Sequence, residues 1–480
     1  MWNPGACRTL KRSAMLPATP QSAALAIVAT LRLHGHQAYL AGGCVRDLLL
    51  GCTPKDYDVA TSATPDIVLD LFPRTFAVGA HFGVVLISSE IEGQATLTEV
   101  ATFRSDGAYS DGRHPDQVRY SQSAEEDVQR RDFTINGLLL DPERLALEEL
   151  DATASLQSAV LDHVGGLADL QSGILRAIGS PTRRFEEDHL RMLRAIRFAA
   201  RFSFTLDPAT HAAIRAQAPK IQSVSRERVR DELTRMLTEG HARRAFELLH
   251  ETRLLPEILP EVARLQGVQQ PPEYHPEGDV WTHTLMLLAQ LQPGCPMTLA
   301  WGALLHDIGK PATFRPADPA KPGDRIRFNG HVEVGVRIAA EIARRLRFSN
   351  EETAQILALV ENHMRFADAP RMKTATLKRF FRLHCFEEHL ALHRMDCLAS
   401  GGYLDYYRFA AERFHAMPPD EVRPTPLLTG HHLIALGYPP GAEFKTILHA
   451  VEEAQLEGAI HTRDEALALV RSNFPLQSKQ

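Results

Sequence analysis

Apolar residues in this chain recur every three to four positions over most of its length and alternate over only a short early part. Across 22–34, Leu25, Ile27, Val28 and Leu31 fall at helical spacing and lead into a short strand at 38–41. A helix is expected at 45–50, closed by Gly51, then a strand at 57–60 and a helix at 65–71. A hairpin is expected from 76–79 and 84–87, followed by an alternating strand at 95–103. The first 140 residues therefore predict a mixed α/β unit around a small sheet. Beyond about residue 170 the pattern becomes one of long amphipathic helices. Gln269-Gln270-Pro271-Pro272 and Met417-Pro418-Pro419 interrupt it and mark natural boundaries.

At 480 residues the chain exceeds a single compact core and predicts roughly three domains or more. Its 44% hydrophobic and 23% charged residues are those of ordinary globular protein. No apolar run approaches the roughly 20 residues of a membrane helix, so no membrane partner is expected. The segment to about Gln21 mixes Pro, Arg, Lys and small residues and reads as a disordered leader. Six cysteines without C-x-x-C spacing predict free thiols in a reducing, cytoplasmic compartment. A formal charge of -6 argues against nucleic-acid coating by the whole surface, but a local basic groove remains compatible with RNA.

The densest chemistry lies in Gly42-Gly43-Cys44-Val45-Arg46-Asp47 followed by Asp56-Tyr57-Asp58. Two carboxylates one residue apart on a strand share a face and can hold divalent ions together. A Gly-Gly turn lets backbone N–H groups approach a triphosphate, and arginine pairs with its oxygens. Glu99 offers a third acidic position, or else a salt bridge to an arginine such as Arg104. Arg130-Arg131-Asp132-Phe133-Thr134-Ile135-Asn136 supplies further phosphate and ribose contacts. In Glu187-Asp188-His189-Leu190-Arg191, Asp188 and Arg191 are expected on one helical face. They could read the edge of a base or form an intrahelical salt bridge.

A second collection follows. His306-Asp307 ends an apolar helical run, and His283, His331, His363 and Asp396 stand on neighbouring predicted helices. This set of nitrogen and oxygen donors suits one or two divalent metals able to activate water.

The first group of motifs resembles the class II tRNA nucleotidyltransferase and poly(A) polymerase family, of the superfamily that includes DNA polymerase β. Ser225-Arg226-Glu227-Arg228, running to Glu232-Leu233, resembles that family's next motif, and the likeness covers roughly 25–240. It implies that Asp56 and Asp58 bind two Mg²⁺ ions and that Gly42, Gly43 and Arg46 hold the phosphates. Arg131, Asp132 and Asn136 would lie close to the nucleotide. Asp188 and Arg191 would pair with the incoming base, with Arg194 and Arg197 bracing them or lining the tRNA path. The polar loop at 102–118 resembles the family's flexible loop, associated with adding the terminal A. The segment 78–85 looks more like the CCA-adding type than a poly(A) polymerase.

The second group resembles the HD phosphohydrolase superfamily over roughly 275–400. His283, His306, Asp307 and Asp396 match its core set, and His331 and His363 match the extra positions of two-metal members. The tail, with Leu427-Leu428-Thr429-Gly430, resembles the C-terminal segment of bacterial members and would clasp tRNA or cap the fold.

The expected fold is α+β: a small polymerase-β-like nucleotidyltransferase head with a mixed sheet, followed by all-α neck/body, HD and tail regions. The division expected is a leader at 1–21, head at 22–150, neck and body at 151–270, HD domain at 271–400 and tail at 401–480. The expected activity is addition of the 3′-terminal CCA of tRNA from CTP and ATP, with phosphodiesterase or phosphatase action at the HD site. The alternatives are a poly(A) polymerase, or a metal phosphohydrolase with a nucleotide-binding or RNA-binding head. The cofactors are Mg²⁺ at the head and a divalent metal of unassigned identity at the HD site. No obligatory protein partner is evident.

Overall fold

A computed structural model describes residues 19–77, 83–91, 93–107, 117–144, 153–321 and 323–476. The leader to residue 18, the strand expected at 78–79 and most of the glycine-rich loop lie outside them. The chain forms two compact units, residues 1–225 with 251–257, and 226–250 with 258–480.

The first unit begins with a helix, Pro20–Leu33, closed at its start by a reciprocal Thr19–Ser22 capping box. Ala23, Ala24, Ile27, Val28 and Leu31 form its buried stripe. The strands are β1 (Ala38–Ala41), β2 (Asp58–Thr61), β3 (Thr75–Phe76), β4 (Val84–Ile91), β5 (Gln94–Thr102), β6 (Arg104–Asp106), β7 (Val118–Tyr120), β8 (Leu138–Leu140) and β9 (Val160–Asp162). Seven of them make one sheet in the order β3-β4-β5-β2-β1-β8-β9, while β6 and β7 pair separately. The β2–β5 pair is parallel and the other five neighbouring pairs run antiparallel, so the sheet is mixed.

Three details differ from the pattern-based expectation. The long hairpin is β4–β5, paired from Val84↔Ala101 to Ile91↔Gln94, and β3 contributes only Thr75 and Phe76. Asp56 precedes β2 instead of lying on it, because the strand's pairing with β1 begins at Asp58↔Ala41. The sheet also takes its last strand, β9, from beyond residue 150. Leu138, Leu139 and Leu140 of β8 are all fully buried, and β9 covers what would otherwise be an open edge beside them.

Downstream in this unit the chain is mainly helical. A break between Pro181–Glu187 and Leu190–Arg201 precedes a helix whose Met192, Leu193, Ala195, Ile196, Ala199 and Ala200 are buried. The second unit is helical too. Met297–Leu305 is apolar on every side and is buried from Leu299 to Leu305. Trp301 is its largest fully buried side chain, donating its indole N–H to Thr234 Oγ1 at 3.0 Å. Phe366, Phe380, Phe381 and Phe386 form a second cluster, and Leu433, Ile447, Val451 and Val470 a third near the C-terminal end.

Candidate functional site

β1 ends in Gly42, whose φ of 72° places it in the left-handed region that glycine tolerates. A Cβ there would lie 3.0 Å from Arg131 Nη1, so the turn and that guanidinium occupy adjacent space. The helix Gly43–Leu49 then carries Arg46 inward. Arg46 is buried, donating to Asp47 Oδ1 at 2.8 and 2.6 Å and to Asn136 Oδ1 at 2.6 Å. Its plane lies over Phe202 at 4.7 Å and Phe198 at 5.2 Å. Most of its donors are therefore spent inside the protein rather than turned outward.

Asn136 in turn donates to Asp132 Oδ1 at 3.0 Å, beside the Phe133 N–H at 2.9 Å. The other oxygen, Oδ2, accepts from Arg194 at 2.9 and 2.7 Å. Burial alone would raise the Asp132 carboxyl, but Arg194 and the Asn136 amide hold it down at about 2. Asp127, unremarked in the sequence, accepts from Arg130 at 2.9 and 2.6 Å and from Arg131 at 3.3 and 3.0 Å, with its side chain fully buried. Its i,i+3 and i,i+4 spacing to the two arginines was the available signal.

The carboxylates come together beside this network. Val59 on β2 is level with Val100 on β5, which sets Asp58 next to Glu99. Burial, then Glu99, raise the Asp58 carboxyl to about 6, with Arg131 opposing and Asp56 adding to the rise. Burial raises Glu99 as well, against Arg131 and Arg130. Glu99 and Asp56 thus both act on Asp58, a repulsion that a divalent cation bound there would relieve.

Asp188 is not on a helix, contrary to expectation. Its backbone is extended (φ -151°, ψ 107°), and its carboxylate accepts the Leu190 N–H at 3.0 Å. That local bond competes with helix continuation and divides the segment in two. Arg191 pairs instead with Glu187 at 2.5 Å and also donates to the Arg130 and Arg184 carbonyls. Arg197 is buried over the Phe198 ring at 4.3 Å.

In the second unit, His306 and Asp307 follow the buried helix Met297–Leu305 directly. Gly309 lets the helix His331–Arg345 approach: a Cβ at Gly309 would sit 2.1 Å from the His331 carbonyl. Three donor groups lie here among the described residues, each with its ligand atoms within 4.8 Å of one another: His283, His306 and Asp396; Asp307, His331 and His363; and His275, Glu277 and His283. Asp307 Oδ2 lies 3.1 Å from His306 Nε2, while Oδ1 lies 3.8 Å from both His331 and His363 Nε2. Asp307 thus spans the first two groups.

The histidines are prepared for metal. Nδ1 of His306, His331 and His363 each contacts a main-chain carbonyl (Ala303, Phe328 and Val360) at 2.7–2.9 Å. Donation there leaves the Nε2 lone pair pointing inward. Nε2 of His331 and of His363 is buried without a hydrogen-bond partner, so both atoms fit a cation. His283 contacts Glu277 through Nδ1 at 2.8 Å and Asp396 through Nε2 at 3.1 Å. Although burial opposes it, Asp396 and Glu277 push its pKa up to about 9. Burial brings His363 down to about 4. Glu277, His275 and Lys310 escaped the sequence reading; Lys310 bonds Asp307 Oδ2 and Gln270 Oε1, both at 2.7 Å.

Because its folded pKa lies below the ordinary carboxylate value, Asp132 contributes stability above about pH 4 and loses it as pH falls toward 2. We expect Asp132→Asn to lower stability by about 3 kcal/mol at pH 6, since it leaves Arg194 and Arg46 under-compensated. The gap to the natural protein should narrow by roughly 2 kcal/mol between pH 5 and pH 2. Urea titrations across that range measure it, and a gap independent of pH would contradict the assignment.

Family models agree with this division of labour. The Poly A polymerase head domain matches residues 38–176, the probable RNA and SrmB-binding site of polymerase A matches 203–265, and the HD domain matches 279–397. The CCA-adding enzyme of Geobacillus thermodenitrificans (strain NG80-2) is 40% identical over 235 residues, 49% of this chain and 54% of that protein. That of Lactiplantibacillus plantarum (strain ATCC BAA-793 / NCIMB 8826 / WCFS1) is 38% identical over 274 residues, 56% of this chain and 63% of that protein. The matches thus span between half and two thirds of these curated relatives. Among solved structures, the Bacillus stearothermophilus CCA-adding enzyme in complex with CTP superposes with a TM-score of 0.69 at 28% identity, over 96% of this chain and 98% of that one. A Thermotoga maritima CCA-adding enzyme complexed with tRNA shares the fold, with a TM-score of 0.55 at 17% identity, over 95% of this chain and 96% of that one. With its motifs, head sheet and second centre in agreement, the chain carries a poly(A) polymerase-type head domain at 38–176, that polymerase's probable RNA-binding region at 203–265 and an HD domain at 279–397, and is similar over about half its length to CCA-adding enzymes.

Proposed function

We propose that this chain is a template-independent nucleotidyltransferase that builds or repairs the 3′-terminal CCA of tRNA from CTP and ATP. The observation that carries the reading is the meeting of Asp56, Asp58 and Glu99 beside a Gly-Gly turn, tied through Asp132 to the helix following Asp188. Mg²⁺ held by Asp56 and Asp58, with Glu99, would supply activation of the RNA 3′-hydroxyl and neutralisation of triphosphate charge. Gly42 and Gly43 offer backbone N–H groups to the phosphates. Arg46 acts chiefly by fixing that turn against Asn136, since its guanidinium faces inward. Asp132 and Asn136 lie beside the sugar, and Arg131, behind Gly42, adds positive charge.

Base choice falls to Asp188 and Arg191, with Arg194 and Arg197 behind them. Arg191 starts from its pair with Glu187, so a base would compete for its donors or share them. Acceptance of C and then A would follow from paired donors and acceptors, because a wrong base leaves buried polar groups unmatched. The free thiols of Cys44, Cys52, Cys295, Cys385 and Cys397 accord with work in the cytoplasm.

The HD centre is read as a divalent-metal phosphodiesterase or phosphatase acting on RNA ends. His283, His306, Asp307, His331, His363 and Asp396 would hold the metal, which would supply an activated water. Glu277 fixes His283, and Lys310 places a cation beside Asp307 for a phosphate oxygen.

Incubation with tRNA lacking its 3′ end should give two added residues with CTP alone and three with CTP and ATP together. Asp56→Ala with Asp58→Ala should reduce addition at least about 1,000-fold, the scale of losing metal and its charge stabilisation. A long ATP-only tail would replace this reading with a poly(A) polymerase, and addition surviving the double change would sink it. His306→Ala with Asp307→Ala should abolish metal-dependent hydrolysis of a 2′,3′-cyclic nucleotide while leaving addition within about twofold of the natural protein. Hydrolysis that persists in this variant would remove the HD assignment.

A further inference from the structure

The sheet face that bears the carboxylates also carries an apolar strip that the nucleotide site leaves unused. Strand register fixes a row across it. Ala41 on β1 faces Asp58 on β2, Asp58 stands beside Glu99 on β5, Glu99 faces Leu86 on β4, and Leu86 faces Phe76 on β3. Alternation puts Leu97 on the same face as Glu99 and sends Ile87 and Thr98 to the other, where both are buried. Phe76 is 54% exposed and Leu97 50%, with Leu86 half-buried between them. Large apolar side chains this exposed, in one contiguous group next to reacting groups, call for an occupant.

The direction of the reaction indicates which. Gly42 and Gly43 follow Ala41, so the triphosphate belongs at the β1 end of the row. Attack at phosphorus is roughly in line with the departing group. The 3′-hydroxyl must therefore arrive from the opposite flank, over β5, β4 and β3. Three strand spacings separate Phe76 from Asp58, roughly 14 Å, which the nucleotides preceding the terminal one can span.

We propose that Phe76, Leu86 and Leu97 form a stacking platform for the unpaired 3′ end of the acceptor RNA. The inference rests on the nucleotidyl-transfer reading above. Its chemistry suits an acceptor whose last base changes with every addition. An aromatic ring and two aliphatic side chains offer a π-face and dispersion contacts to any base, with no hydrogen-bond readout to reject the next one. Base identity is then judged only at Asp188 and Arg191, on the incoming nucleotide.

The test compares Phe76→Ala, Phe76→Tyr and Leu97→Ala with the natural protein, using tRNA that lacks its 3′ end. Phe76 and Leu97 are exposed, so neither change removes core packing. Phe76→Ala should raise the KM for RNA about tenfold, the scale of losing one base–aromatic stack, with the KM for CTP and the saturated kcat unchanged. It should weaken RNA binding equally when no nucleotide is present. Leu97→Ala should raise the KM for RNA by a smaller factor, and Phe76→Tyr should restore it. Leu33→Ala, at a still barer apolar side chain (84% exposed) at the end of the first helix, should change nothing. An unchanged KM for RNA in Phe76→Ala would overturn the platform while leaving nucleotidyl transfer standing, as would a rise confined to the KM for CTP. A natural protein that adds no nucleotide to any RNA would sink the transfer reading, and the platform with it.

Discussion

The carboxylate of Asp132 holds the head of this molecule in register. One oxygen serves Asn136 and the Phe133 N–H, and the other serves Arg194, so its acceptor capacity is filled from two directions. Through Asn136 it reaches Arg46 and hence the helix after the Gly-Gly turn. Through Arg194 it reaches Leu190–Arg201, the helix that begins just after Asp188. A buried charge is favourable only when its partners are well placed, and removing one partner typically costs about 3–5 kcal/mol. The cost makes the arrangement stiff. In the proposed transfer reaction the Gly-Gly turn and the helix after Asp188 must keep a fixed separation, and this carboxylate links them.

The two centres use opposite electrostatic designs. In the head, the Asp58 and Glu99 carboxyls are both raised, with Asp56 adding to the rise at Asp58. In the second unit Asp307 and Asp396 are both held low, chiefly by Lys310 and His306 for the first and by His283 for the second, against the opposing effect of burial. Histidines there are aimed by main-chain carbonyls, an arrangement suited to a resident metal.

Much of this was legible in the sequence because the candidate site residues sit in short motifs. Asp58 at a strand start, the Gly-Gly turn and the His306-Asp307 doublet after an apolar helix all followed from local pattern. What escaped depends on partners distant in the chain. Arg46 turns inward to an Asn136 ninety positions away, a pairing that no local pattern encodes. Asp188 leaves the helix because its carboxylate takes a neighbouring N–H, where spacing alone had predicted continuity. β9 was missed because three residues are too few to show a period, and its place is set by the need to cover β8.

The linkage through Asp132 is tested most directly by a double-mutant cycle on Asn136→Ala and Arg194→Ala, read as kcat/KM for CTP addition to tRNA. Asn136 and Arg194 each bond the same carboxylate from opposite sides. If Asp132 couples turn to helix, the second change should cost far less once the first is made, with a coupling energy above about 1 kcal/mol. Effects that add to within about 0.5 kcal/mol would contradict it, showing that the turn and the helix after Asp188 are positioned independently.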